Sequence, residues 1–202
     1  MTRLKKTAIV SIPLTVLLCF TYGHMKMTRV PGPVTEESQK HRTVQKIIQH
    51  IDNENADFDE GELYNIAHTL YDESKKHGID YRLVLAVMKV ESNFKHDAVS
   101  ERGARGLLQL KPAFAKFIAR DAGIKWNGAK TLDEPAKNIM IGVRLLSSLM
   151  GDFESLHLAL HAYHVGPTRL REILSEKHTP NKRFLNLVLK EYRRNTALLP
   201  DP

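Results

Sequence analysis

The chain has 202 residues, 42% hydrophobic and 26% charged, which suits one globular domain with a real core plus a leader or linker. Its formal charge of +7 falls to +4 without residues 1–23, which hold three basic residues and no acid. That excess is too small to argue for nucleic acid, and no basic stripe with interleaved aromatics appears.

Residues 1–23 read as a signal peptide or a membrane anchor. Arg3, Lys5 and Lys6 precede "AIVSIPLTVLLCF", and the apolar run Ala8 to Tyr22 has 15 residues, fewer than the roughly 20 of a spanning helix. Export to the periplasm or cell envelope is the expectation, with cleavage after Gly23 or retention as an inner-membrane anchor. Membrane contact is expected through this segment alone. Cys19 is the only cysteine, so cleavage would leave neither a disulfide nor a thiolate metal site.

Residues 24–41 contain "VPGPVTEESQK" and read as a linker. From 42 to 195 the pattern is helical, and 196–202 reads as a tail. Val44, Ile47, Ile48 and Ile51 fall on one helical face, as do Leu63, Ile66, Ala67, Leu70 and Tyr71. Gly78 stops the second helix, and Asp80 can cap the next from Tyr81. Pro112 opens a helix reaching Ala122, closed by Gly123. Further helices are predicted near 135–150, 153–164, 167–175 and 182–194, with Gly151 and Gly166 as punctuation. With no alternating strand pattern and no repeat, the expected fold class is all-α, with seven or eight helices.

The helix from Tyr81 to Ser92 carries an acid on its apolar side. Relative to Glu91, Val84 lies about 20° away, Val87 about 40° and Met88 about 60° around the axis. Arg82 and Lys89 lie about 180° and 160° away, and are expected to face water. Apolar neighbours would desolvate Glu91 and raise its pKa, suiting it to protonate a leaving oxygen. The bland alternative is that Glu91 merely ends the helix, exposed or paired with a cation. The following "KHDAVSERGARGLLQLKP" brings Gly103 and Gly106, which let backbone approach closely, and the neutral hydrogen-bonding groups of Ser100 and Gln109. Such a turn beside a partly buried acid resembles a site.

"ESNFKHDAVSERGARGLLQLKP", "NIMIGVRLL" and "ALHAYHVGP" occur in that order. Together they closely resemble the three signature segments of the soluble-type lytic transglycosylase (SLT) domain family. The resemblance runs from about Leu63 to Tyr192. It implies a goose-lysozyme-like helical domain acting on peptidoglycan glycan strands. The reaction implied is cleavage of the β-1,4 bond between N-acetylmuramic acid and N-acetylglucosamine, leaving a 1,6-anhydro ring and using no cofactor or metal. By the same resemblance Glu91 takes the place of the catalytic acid. Ser100 matches a serine hydrogen-bonding near it, Gln109 a glutamine lining the sugar cleft, and Tyr163 a tyrosine beside the scissile bond. Envelope-spanning machinery is a further partner class that family members serve.

Three positions depart from the pattern. Leu108 stands where methionine is usual, Leu145 where tyrosine is usual, and His164 where asparagine is usual. His164 keeps hydrogen-bonding capacity but adds a charge that titrates near neutral pH.

Two other functions remain open on the residues. A goose-type muramidase would need a second acid to hold water, and Asp97, Asp133 and Asp152 are the candidates. A noncatalytic peptidoglycan-binding module would need no acid at all. His157, His161 and His164 share a helical face, but H-E-x-x-H is absent and no metal site is expected.

Overall fold

Eight α-helices and one 3-10 helix, with no strand, make up the fold among the residues described by this computed structural model, 35–54 and 57–202, and side chains cap the first three. The expected signal or anchor and most of the expected linker lie outside those residues. The all-α class is as expected.

Helix α1 (Glu36–Asn53) begins inside the segment expected to be linker. The Thr35 hydroxyl accepts a hydrogen bond from the Ser38 N–H at 3.2 Å, and Glu36 and Glu37 sit on the positive end of the helix dipole. This local cap starts the folded chain several residues before position 42. A full capping box between Asp59 and Glu62 opens α2 (Glu60–His77), and Gly78 closes it with φ 64°. Asp80 caps α3 (Tyr81–Ser92) through the Arg82 N–H at 2.8 Å.

The remaining helices are α4 (Pro112–Asp121), α5 (Pro135–Phe153), α6 (Leu156–Val165), α7 (Pro167–Ser175) and α8 (Arg183–Leu198). The 3-10 helix Ala129–Asp133 leads into α5. Gly151 does not end α5, which runs on to Phe153. A single glycine weakens a helix by about 1 kcal/mol, too little to stop one anchored by Leu146 and Leu149, both 2% exposed.

Helix α3 is enclosed, not amphipathic, which corrects the expectation that Arg82 faces water. Every residue from Tyr81 to Met88 is buried, including Arg82 at 7% exposure. The guanidinium pairs with Asp80 at 2.8 Å and with Asp201 at 2.6 Å, so its charge is compensated where it is buried. Lys89, the other residue expected to face solvent, is half-buried and pairs with Glu54 at 2.6 Å, while Arg194 reaches the same Glu54 at 3.0 Å.

Helix α8 covers the side of α3 that the periodicity assigned to solvent, placing Phe184, Leu185 and Val188 in the core. Nor do residues 196–202 form a free tail. Leu199 is buried, and the Tyr81 hydroxyl donates to the Pro200 carbonyl at 2.6 Å. Among the described residues no helix is long and apolar enough to cross a membrane.

Candidate active site

Enclosure of α3 fixes where its last turn points. Beyond Ser92 the chain turns through Asn93 (φ 52°) and Phe94 (φ 63°), both left-handed, and the Phe94 ring is buried. The Ser92 hydroxyl lies 2.8 Å from the Leu107 carbonyl and 3.2 Å from that of Met88, tying the helix end to the loop beyond. Glu91 sits half-buried on this turn. Burial raises its carboxyl to about 7, with no contribution from any charged or hydrogen-bonding neighbour. The direction is the one the apolar-face argument expects, although the solvated opposite face on which that argument leaned does not exist.

The loop 93–111 is anchored by a residue to which the sequence analysis gave no role of its own. Asn138, fully buried in the first turn of α5, donates to the Arg105 carbonyl at 3.0 Å and the Leu132 carbonyl at 2.8 Å. Its Oδ1 accepts from the Leu108 N–H at 2.9 Å. Gly106 has φ 77°, and a side chain there would overlap both the Asn138 amide and the Leu132 carbonyl oxygen. A Cβ on Gly142, one turn further along α5, would overlap the Leu108 side chain. The asparagine and glycine of "NIMIGVRLL" therefore clamp the glycine-dense loop onto α5. Arg105 adds a two-pronged pair to Asp133, at 2.8 and 2.6 Å. A buried amide at the start of an apolar helix was the available signal for Asn138.

Tyr163, on α6, reaches this clamp from the other side. Its hydroxyl donates to the Leu108 carbonyl at 2.7 Å. Burial, and secondarily the charge of nearby Glu91, hold its phenol well above the ordinary range. The Glu91 carboxylate is close enough for its charge to act on the Tyr163 phenol, which stays a neutral donor. Ser100, matched to a serine hydrogen-bonding near the acid, is engaged within its own loop. It is exposed, and its Oγ accepts from the Ala104 N–H at 3.0 Å, closing a turn.

Gln109 adopts φ 46° and commits its amide nitrogen to the Ala98 and Gly106 carbonyls, each at 3.0 Å. It works first as a loop staple, though with Tyr163 and His164 it also lines a recess of about 150 Å³. His164 is exposed and stacks on Phe184, ring centroids 4.4 Å apart and planes 9° apart. Partial desolvation of the ring where it lies on Phe184, then the Arg102 cation, lower its pKa from 6.5 although the residue's outer edge is exposed. Phe184 had no signal in the sequence beyond its apolar spacing.

The other acids are occupied or remote. Asp133 pairs with Arg105, Asp152 lies 3.6 Å from Arg171, and Asp97 is exposed. None contributes to the Glu91 shift. His157 is exposed while His161 is buried at 4%, so the shared helical face does not present them together.

Comparison with known proteins shows the family. The model of the transglycosylase SLT domain matches residues 69–186, more than half the chain. The chain belongs to that family. Its SLT domain is 32% identical over 98 residues to a Haemophilus influenzae relative named among the soluble lytic murein transglycosylases, covering 48% of this chain and 16% of the relative. It is 32% identical over 116 residues to the transglycosylase of Enterobacteria phage PRD1, covering 57% of this chain and 40% of that protein. The chain thus spans less than half the length of either.

Among solved structures, the X-ray structure of an inactive glutamate-to-glutamine mutant of the lytic transglycosylase Slt from Pseudomonas aeruginosa superimposes with a TM-score of 0.50 and 26% identity. The match covers 82% of this chain and 29% of that one. The fold is therefore the lysozyme-like helical class that the motifs implied.

Proposed function

We propose that the SLT domain cleaves the β-1,4 bond between N-acetylmuramic acid and N-acetylglucosamine in peptidoglycan without consuming water. The observation that carries this is Glu91, half-buried at the end of α3 with its carboxyl raised to about 7 by burial, in a domain of the transglycosylase SLT family. Retaining and inverting hydrolases need two carboxylates, the second as nucleophile or as base for water. A single acid suffices if the nucleophile comes from the substrate.

Protonated Glu91 gives its hydrogen to the glycosidic oxygen as the C1–O bond breaks, and the acetamido group of the same sugar steadies the developing cation. The resulting carboxylate takes the hydrogen of the C6 hydroxyl, whose oxygen bonds to C1. Glu91 ends as it began, and the product carries a 1,6-anhydro ring. The attack is intramolecular and gains from effective concentration. Tyr163, neutral and fixed on the Leu108 carbonyl, supplies a rigid polar wall beside Glu91. Ser100 and Gln109 offer the cleft a hydroxyl hydrogen and a carbonyl oxygen not used in their loop bonds. The basic-then-apolar N-terminal segment supports placement in the cell envelope, where this polymer lies.

Mass spectrometry of digested sacculi tests the reading. The expected fragments lack the mass of water that hydrolysis adds; hydrated ends would assign a muramidase, and a bound but uncut sacculus a binding module. Because Glu91 must be protonated to start the reaction, turnover should fall as pH rises through about 7. A rate still rising above pH 8 would remove it as the acid. His164→Asn should keep at least comparable turnover and erase any titration below pH 6.5 that the imidazole adds to the profile. A collapse of turnover in that variant would give the histidine a role of its own.

A further inference from the structure

Helix α4 turns its small side chains inward and its large ones outward. It buries Ala115 and Ala119, while Phe114 and Phe117, the two exposed phenylalanines among the described residues, stand 46% and 58% in solvent. Single exposed apolar residues are ordinary, but an apolar cluster rimmed by charge marks a contact surface. Phe117, Ile124 and the half-buried Trp126 wall a surface hollow of about 440 Å³, together with Lys116 and Arg120. The Arg120 guanidinium lies 5.7 Å over the Phe117 ring.

The same stretch concentrates positive charge. Residues 111–130 hold five basic residues and one acid, so they carry the whole +4 of residues 24–202, and the remainder of that span is neutral. Lys111, Lys116, Lys125 and Lys130 are exposed and, among the described residues, in no ion pair, while the one acid, Asp121, lies 3.4 Å from Arg120. The next acids along the chain are engaged elsewhere, Asp133 with Arg105 and Glu134 with Lys137.

We propose that α4 and the loop after it form a docking surface for an anionic lipid bilayer. Phe117 and Trp126 lie at the boundary between headgroups and acyl chains, with the lysines on lipid phosphates. Aromatic rings favour that boundary, and each Lys or Arg close to an anionic leaflet strengthens the attachment. A saccharide is the poorer occupant. Its hydroxyls and amides call for side chains that can accept hydrogen bonds, and the hollow offers only hydrocarbon and cations. The surface is a second membrane contact, beyond the N-terminal segment, and would keep the domain at a bilayer after cleavage of that segment.

Trp126 is the only tryptophan in the chain, so its emission reports this face and is blind to the N-terminal segment. The full-length protein is titrated with vesicles of phosphatidylcholine alone or mixed with phosphatidylglycerol. Anionic vesicles should shift the emission to the blue at about tenfold less lipid than neutral ones, and 0.5 M salt should remove that preference. Lipid carrying a quencher near its headgroup should dim the emission. Lys116→Gln with Lys125→Gln should raise the lipid needed by about 25-fold, and Phe117→Ser by about tenfold. Unchanged turnover on soluble glycan would show that these variants fold. An emission that no vesicle moves overturns the proposal, even if the chain floats with the lipid, because the N-terminal segment alone then holds it. So does an equal response to neutral vesicles, or variants that respond as the parent does. With the Glu91→Gln protein, a shift produced by purified sacculi and by no vesicle would assign the face to glycan and overturn the lipid reading.

Discussion

Glu91→Gln should reduce glycan cleavage by about 10²- to 10⁴-fold, the usual worth of a general acid, while leaving the domain folded. A variant retaining a tenth of the parent turnover would take Glu91 out of the acid role. The same substitution should make the protein more stable at alkaline pH, and the sign follows from linkage. The carboxyl titrates near 4.5 in an unfolded chain and at about 7 in the fold, so the folded state holds its proton more tightly. Folding therefore loses stability as pH rises from 4.5 to about 7 and stays at that lower level above.

An amide at position 91 has no charge to desolvate and escapes the loss. The expected gain is on the order of 2 kcal/mol at pH 8, allowing for residual solvent at the half-buried group, and vanishes towards pH 4.5. Urea melts of both proteins at pH 4.5 and pH 8 would measure it. Equal stability at the two pH values would mean that Glu91 is well solvated. Loss of turnover together with a gain in stability is the signature of an acid kept in an unfavourable place for its chemistry.

The second large effect is expected at a residue that touches no substrate. Asn138→Ala strands the Leu108 N–H and the Arg105 and Leu132 carbonyls, three backbone groups that the side chain now pairs. Each unpaired buried group costs about 1–3 kcal/mol, and part is recovered if water enters or the loop relaxes. A net destabilisation of about 4 kcal/mol is expected, lowering Tm by about 10 °C for a domain of this size. Asn138→Asp separates hydrogen bonding from packing: it keeps the shape and the acceptor but has no N–H for the two carbonyls. It should therefore be destabilised as well, whereas a pure cavity effect would spare it. Turnover should fall in both variants below what the folded fraction explains, because the Leu108 carbonyl that seats Tyr163 belongs to the released loop. A melting point within 2 °C of the parent protein would show that Asn138 does not clamp the loop.

The readable parts of this fold were the locally encoded ones. Asp59 with Glu62, Asp80, Gly78 and Pro112 act within one turn of the chain, so their caps and stops appear at the expected places. Thr35 and Gly151 misled for the same reason in reverse. A hydroxyl cap started α1 in what looked like linker, and packing carried α5 past its glycine. In the site, Glu91 was legible because an acid on an apolar face is anomalous by itself. The local partner of Ser100 was not legible, because it is the Ala104 N–H four residues on, fixed by how the loop turns.

By itself the sequence determined an all-helical chain, an acid at the end of its third helix, and three motifs that place it in the SLT family. Only the tertiary structure decided that α3 is enclosed from Tyr81 to Met88, so that Arg82 is buried and Glu91 is half-buried on its last turn. It also decided that the Leu108 carbonyl receives a hydroxyl 55 residues away and that Asn138 holds the loop presenting it. Periodicity and caps report one helix face over a few residues. Which distant groups then meet, and which are left unpaired, depends on how eight such helices pack, and that choice is made by burial and hydrogen-bond satisfaction across the whole domain.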